Sequence, residues 1–163
     1  MYPTDERETA VVPAGLVLAT IGRRAVGAII DQAMVLVPVA IGAAVWGYRP
    51  GDEVTDTTLL VLNAASAGVA VLYETTLVAL FGRTVGKVIT RTRVVQRIDG
   101  GRVGWVPAAQ RALVPAAAGS VPRVGLALGA AVYAVALLGP LRQGVHDRAA
   151  GTLVVLNAHR TDG

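Results

Sequence analysis

The fold is decided by residues 22–31, Gly22-Arg23-Arg24-Ala25-Val26-Gly27-Ala28-Ile29-Ile30-Asp31, which open a long apolar run. Asp31 is the only charged residue between Ala25 and Tyr48. A helix of about 24 residues is roughly 36 Å long, enough to cross a bilayer core of about 30 Å with some tilt. The stretch therefore predicts a membrane span that contains a carboxylate. Because a charged side chain is costly in hydrocarbon, Asp31 is a candidate functional residue.

The composition of the whole chain also indicates a membrane protein. Hydrophobic residues make up 53% of the 163 residues, charged residues only 16%, and the mean hydropathy is +0.56. The chain contains no cysteine, which excludes disulfides, thiol catalysis and zinc-thiolate sites. Arginine supplies all but one of the 15 basic residues, a bias that suggests a GC-rich bacterial source, so the expected location is the bacterial plasma membrane.

Apolar runs divide the chain, which we treat as one domain over residues 1–163, into helical segments. Two full spans are predicted at about 24–48 and 57–81. A third apolar region, 108–139, is too long for one span and too short for two, and Pro115, Gly119, Pro122 and Arg123 interrupt its middle. We expect two shorter helices there, 108–121 and 123–139.

The predicted fold class is therefore an all-α membrane bundle with three to four spans. The two short helices would form a hairpin or a broken span. A single kinked span is the alternative, and it would place the C-terminus on the opposite side of the membrane.

The loops on either side of the second span carry opposite charge. Residues 48–58 hold Arg49 against three carboxylates, a net charge of −2, whereas residues 82–111 hold seven basic residues against Asp99, a net charge of +6. The positive-inside rule therefore places the basic loop, the N-terminus and, for a hairpin, the C-terminus in the cytoplasm. Alternating residues before Asp99-Gly100-Gly101 predict a short β-hairpin or an extended loop on the membrane face within the basic loop 82–107.

Depth in the membrane brings two carboxylates together. Asp31 lies seven residues beyond Arg24, and Glu74 lies seven residues before Phe81, so both are about 10 Å inside the same boundary. Two such carboxylates share a proton, bind a cation or pair with an arginine, for which Arg24, Arg111 and Arg142 are candidates. A static polar clamp and placement at the membrane edge are the alternatives to an ion- or proton-handling site.

The remaining motifs give weaker indications. Residues 82–87 resemble a phosphate loop only superficially, because three rather than four residues separate the glycines and Val88 replaces the Ser or Thr. In the basic loop, the residues expected at lipid head groups or the interface are Arg83, Lys87, Arg91 and Arg93, and the alternative is that their charge only sets the topology. His146 and Asp147 are adjacent but have no evident nucleophile. We expect no catalytic residue, metal, cofactor or nucleic acid.

Five short motifs in order resemble the RDD family of small bacterial integral membrane proteins. They are Arg24-Ala-Val-Gly-Ala28-Ile-Ile30-Asp31, Tyr73-Glu74, Gly82-Arg-Thr84-Val-Gly86-Lys87 with Arg93-Val94-Val95, Arg111, and His146-Asp147 with Gly151-Thr152. The resemblance covers nearly the whole chain and implies a helical membrane protein. It makes Arg24, Asp31 and Asp147 the signature Arg-Asp-Asp set, and it associates the chain only loosely with transport.

The expected function is that of a non-catalytic accessory or stabilising subunit of a larger, transport-related membrane complex. Its partners would be membrane lipids and that complex, or further copies of the chain. The intramembrane charge network expected to hold it together comprises Arg24, Asp31, Glu74, Arg111 and Asp147. The alternative is an oligomeric cation or proton transporter that uses Asp31 and Glu74. No constellation of residues supports an enzyme.

Overall fold

A computed structural model describes residues 12–49, 51–121 and 123–157. The helices and strands are, in chain order, α1 (Ile21–Val45), α2 (Asp56–Phe81), α3 (Val85–Ile89), β1 (Thr92–Gln96), α4 (Trp105–Gly119), α5 (Gly125–Ala134) with a 3₁₀ turn (Val135–Leu137), α6 (Val145–Ala149) and β2 (Thr152–Leu156). The molecule is thus mostly helical with one small sheet.

The two long helices α1 and α2 lie close to the predicted spans. The α1 helix begins three residues before the predicted start, because the Thr20 hydroxyl accepts a hydrogen bond from the Arg23 backbone N–H and caps the helix. Arg24 consequently lies inside the first turns rather than at the entrance. Both helices are long and apolar enough to cross a membrane.

Apolar side chains on these helices face outward. Ile29 on α1 is 70% exposed, and Leu72 on α2 is 71% exposed. A core helix of a soluble protein would bury such residues, and large exposed apolar surfaces mark contact with lipid or with another protein. The two helices are therefore consistent with a membrane protein.

The third apolar region forms two separate helices. The α4 helix ends at Gly119, α5 begins at Gly125, and the two pack so closely that a Cβ atom on Gly125 would collide with the Gly119 carbonyl oxygen. Arg123 in the connection pairs with Asp56 at the start of α2 at 2.8 Å. The bounds differ from the prediction: the 15 residues of α4 begin three residues earlier than expected and rise about 22 Å, and the 10 residues of α5 are fewer than expected. Pro122, expected to interrupt the region, lies outside the described residues.

The predicted β-hairpin in the basic loop is wrong. The turn at 99–101 forms, but β1 pairs antiparallel with β2, so that Val94 lies opposite Val154. Only three residues separate that turn from α4, too few for a second strand, whereas β2 is a buried run of apolar residues that comes from much later in the chain. A small non-local sheet therefore replaces the hairpin, and the fold is not all-α.

The buried core lies where this sheet meets the ends of the helices. One cluster joins α2 and α4 to β1, and it contains Val78, Val94, Val103 and Ala108. A second cluster lies around β2 and contains Val95, Leu141, Leu153 and Val155. The residue before the α1 cap, Ala19, donates its N–H to the Val154 carbonyl at 2.9 Å. We call this part of the molecule the sheet end, and the opposite part, with residues 46–49, 51–55, 120–121 and 123–124, the far end.

Candidate functional site

Six charged side chains form one alternating series at the sheet end, which we call the charge string. Three cations and three carboxylates follow one another in ion-pair contact, in the order Arg24, Asp147, Arg111, Glu74, Lys87 and Asp31. The string carries no net formal charge. It joins α1, α2, α3, α4 and α6 through side chains that the sequence spreads over more than a hundred residues.

The most buried part of the string is the pair formed by Arg111 on α4 and Asp147 on α6. Arg111 is 2% exposed and Asp147 is fully buried. The Arg111 guanidinium donates from Nη1 to the Asp147 carboxylate and from Nε to Glu74 Oε1, the latter at 2.9 Å. It also lies 3.3 Å from the Thr152 hydroxyl of β2. One guanidinium thus connects α2, α4, α6 and the sheet.

Local backbone geometry holds Asp147 in place. Asp147 is the third residue of α6, and its Oδ2 accepts the N–H of Gly144, the residue that caps the helix, at 3.1 Å. The same carboxylate accepts a hydrogen bond from Arg24 Nη2. The other Arg24 nitrogen, Nη1, donates to the Arg142 carbonyl. Arg142, a predicted partner for the carboxylates, instead donates its side chain to the Ala19 carbonyl at 3.3 Å.

The charges around α6 fix the ionisation of its two titratable residues. Burial raises the pKa of Asp147, but the charges of Arg111 and Arg24 outweigh it and hold this pKa well below its usual range. Burial foremost lowers the pKa of His146 to about 4, and nearby Arg111 lowers it further, against the opposing effect of Asp147. Asp147 is therefore charged and His146 neutral near pH 7.

The His146 ring has an unusual environment. It is fully buried against the Tyr133 ring, with the centroids 4.5 Å apart. Neither ring nitrogen has a hydrogen-bond partner within the part of the chain that the structure describes. Its Nε2 lies 3.6 Å from Asp147 Oδ2. The adjacent His–Asp pair predicted from the sequence is therefore a packing contact next to the buried ion pair.

Asp31 forms the other end of the string and is held by hydroxyl and amide donors. Its Oδ1 accepts the Tyr73 hydroxyl and the Gly86 N–H, both at 2.8 Å. Its Oδ2 accepts the Thr84 hydroxyl at 2.5 Å and lies 3.4 Å from Lys87 Nζ. The carboxylate inside α1 is therefore fully occupied by donors from α2 and from the segment around α3.

Asp31 and Tyr73 also accept hydrogen bonds from the first N–H groups of the short helix α3. The first N–H groups of a helix have no partner within it. Asp31 accepts the Gly86 N–H, and the Tyr73 hydroxyl accepts the Val85 N–H at 3.1 Å. Glycine is required at position 86 because a Cβ atom there would collide with the Gly27 carbonyl oxygen and lie 2.9 Å from the Asp31 carboxylate.

Lys87 differs from its predicted place at the lipid head groups. Its side chain is 12% exposed and its Nζ lies between Asp31 Oδ2 at 3.4 Å and Glu74 Oε1 at 3.9 Å. Because α3 is only one turn long and packs against α1, the Lys87 side chain lies against the helix bundle. Of the three arginines grouped with it, Arg83 and Arg91 are exposed and Arg93 is half-buried.

The structure brings together all five residues of the predicted charge network and adds Lys87. Asp31 and Glu74 were expected to lie close together, and in the structure both contact the Lys87 ammonium group. Glu74 also pairs with Arg111. Across the described ranges, no group of three or more His, Asp or Glu side chains could hold a metal ion. The arrangement is suited to holding helices together.

The sequence reasoning missed the uncharged donors around the string. Tyr73 and Thr84 bind Asp31, and Thr152 lies beside Arg111. Tyr73 and Thr84 both belong to quoted motifs, so their position next to Glu74 and Lys87 was the available signal. Thr152 also belongs to a quoted motif, but its position beside Arg111 depends on the return of β2 to the sheet end.

Comparison with known proteins gives one finding. A family model described as the RDD family matches residues 18–151, a range that includes every member of the charge string. Searches of curated proteins and of solved structures return no match.

Proposed function

This chain belongs to the RDD family, and from that premise we propose that it is a multi-pass membrane protein that acts as a non-catalytic accessory or stabilising subunit of a larger, transport-related complex. The charge string carries the proposal. Each of its carboxylates has a cation in contact, and its most buried pair joins four elements. Removing one member of a buried ion pair is strongly destabilising, so such a network acts as a clamp.

The membrane placement follows from charge at the two ends. In the proposed topology α1 and α2 span the bilayer and the α4–α5 hairpin enters it from the sheet end. Exposed arginines lie at the sheet end, namely Arg83, Arg91, Arg97 and Arg102, whereas the far end between α1 and α2 carries Asp52 and Glu53 against Arg49. The positive-inside rule then assigns the sheet end to the cytoplasm.

The absence of cysteine in the sequence makes this topology directly testable. Ile98→Cys places a thiol at a site that is 88% exposed at the sheet end, and Glu53→Cys places one at the far end. In intact cells a membrane-impermeant maleimide should label only Glu53→Cys, and permeabilisation should add Ile98→Cys. Labelling of Ile98→Cys alone in intact cells would show that the chain has the opposite orientation.

A partner surface is available on α1. Ala40 and Ala44 lie four residues apart on one face and are both exposed. Small residues at this spacing let helices approach closely in lipid, where packing and hydrogen bonds drive association. We propose this face as the contact with the larger complex.

Purification in mild detergent tests the subunit role. The chain should be recovered with a partner at stoichiometric level, and Ala40→Leu should weaken that recovery. Gly42→Leu is the matched control, because residue 42 lies on the opposite face of α1 and no atom lies within 4 Å of its Cβ position. Recovery as a lone monomer would contradict the proposal.

A second candidate function is cation or proton transport at the Asp31 end of the string. The side chains of Asp31 and Lys87 are 15% and 12% exposed, in contrast to the closed Arg111–Asp147 pair. Proteoliposomes loaded with an ion or proton gradient would show flux that Asp31→Asn abolishes and Asp56→Asn preserves. Absence of flux above the Asp31→Asn background would exclude this role.

A further inference from the structure

An apolar groove lies on the surface between α2 and α4, away from the charge string. Its volume is about 580 Å³, and it is lined by residues from Ala67 to Thr76 on α2 and from Trp105 to Ser120 on α4. None of the lining residues is charged. Gly68, Ala109, Ala116 and Ala117 are small, and they leave a channel between the larger side chains.

The groove is narrow for its length. Its walls extend over roughly 14 Å of α2 and 22 Å of α4, and all the space free of protein atoms along them is about 990 Å³, so its cross-section is about 45–70 Å². A helix with side chains is about 10–12 Å wide, a cross-section of roughly 80–110 Å². The groove is therefore too narrow to enclose a helix from a partner or from a second copy, whereas a single extended hydrocarbon chain can lie within it.

The sheet end of the groove is marked by an aromatic residue and a cation. Trp105 lines the groove at the first residue of α4 and is 55% exposed, as expected for an aromatic residue at a membrane interface. Close to it in the chain, the Arg102 side chain is exposed and its Nη2 donates to the Leu80 carbonyl at 2.8 Å. Leu80 lies one turn beyond Thr76 on the same side of α2. Among the described residues Arg102 has no carboxylate partner.

We propose that this groove binds an acidic phospholipid from the leaflet at the sheet end, with one acyl chain between α2 and α4 and the phosphate at Arg102. An apolar channel that ends at an interface tryptophan and an exposed arginine matches an anionic lipid in both shape and charge. The inference rests on the membrane placement proposed above and is independent of the accessory-subunit role.

Native mass spectrometry of the full chain tests the site. The protein is purified in mild detergent and exposed to equal amounts of phosphatidylglycerol and phosphatidylcholine with identical acyl chains. One basic residue near an anionic surface favours binding by about fivefold, so the wild-type chain should retain phosphatidylglycerol in about that excess. Arg102→Gln should remove the preference. Arg91→Gln, an exposed arginine of the same basic loop, should leave it unchanged.

A second variant tests the groove itself. Ala117→Leu adds bulk at an exposed position of the wall, and it should lower retention of both lipids while the thermal unfolding midpoint stays near that of the wild type. Equal retention of the two lipids by the wild type, or equal loss of preference in Arg91→Gln and Arg102→Gln, would overturn the proposal. Efficient disulfide dimerisation of Ala117→Cys in membranes would also overturn it, because a second copy would then cover the groove. A chain that stays in solution without detergent would instead refute the membrane placement.

Discussion

Neutralising Asp147 should be among the most destabilising single changes at the charge string. Asp147→Asn keeps the size of the side chain, so no cavity forms, but it removes the anion that Arg24 and Arg111 share. Arg111 is 2% exposed and would retain only Glu74 as an ionic partner, and the Arg24 side chain is 10% exposed. Breaking a buried ion pair by removing one partner costs about 3–5 kcal/mol, and we expect a loss in that range.

The matched control is Asp56→Asn at the far end. Asp56 pairs with Arg123 at 2.8 Å, but the two side chains are 78% and 74% exposed. Exposed pairs contribute about 0–1 kcal/mol, so the control should lose no more than about 1 kcal/mol. Equilibrium unfolding in detergent micelles, followed by circular dichroism during denaturant titration, gives both values. Equal losses in the two variants would show that the buried pair is not a clamp.

Three further predictions follow from contacts near the string. Between pH 6.5 and 4 the unfolded chain binds a proton at His146 that the folded chain does not, so folding stability should fall with falling pH by up to roughly 3 kcal/mol. A titration of the unfolding free energy should show this slope, and His146→Leu should flatten it within that window; an unchanged slope would refute the assignment. Gly86→Ala should destabilise by about 1–3 kcal/mol through its collision with Gly27, whereas Gly42→Ala, with open space around its Cβ position, should be neutral or slightly stabilising in the same denaturant titration. Tyr73→Phe removes one donor to Asp31 and the acceptor for the Val85 N–H, and should cost about 1–3 kcal/mol; thermal unfolding that matches the wild type would contradict this role.

The long apolar helices and part of the charge string could be predicted because their signals are local. Uninterrupted apolar runs fix α1 and α2 to within a few residues. Counting residues from each end placed Asp31 and Glu74 at one depth, and both lie within 4 Å of Lys87 in the structure. Helical rise is constant, so depth can be read from spacing alone.

The sheet and the place of Lys87 could not be predicted because they depend on distant partners. The alternating residues of β1 indicated a strand, but nothing in them specifies that its partner lies 60 residues later. Lys87 sits in a basic segment and reads as a surface charge. Its place depends on the close approach of Gly86 on α3 to Gly27 on α1. This contact between separate helices brings Lys87 next to Asp31 and Glu74.

The late position of Asp147 in the chain has a consequence for biosynthesis. Its two cations precede it by 123 and 36 residues. At a translation rate of about 5–20 residues per second, the ribosome needs roughly 2–7 s to proceed from Arg111 to Asp147. During that interval the nascent chain carries Arg111 without its main counterion, and the order of synthesis makes the arrival of α6 the step that completes the bundle.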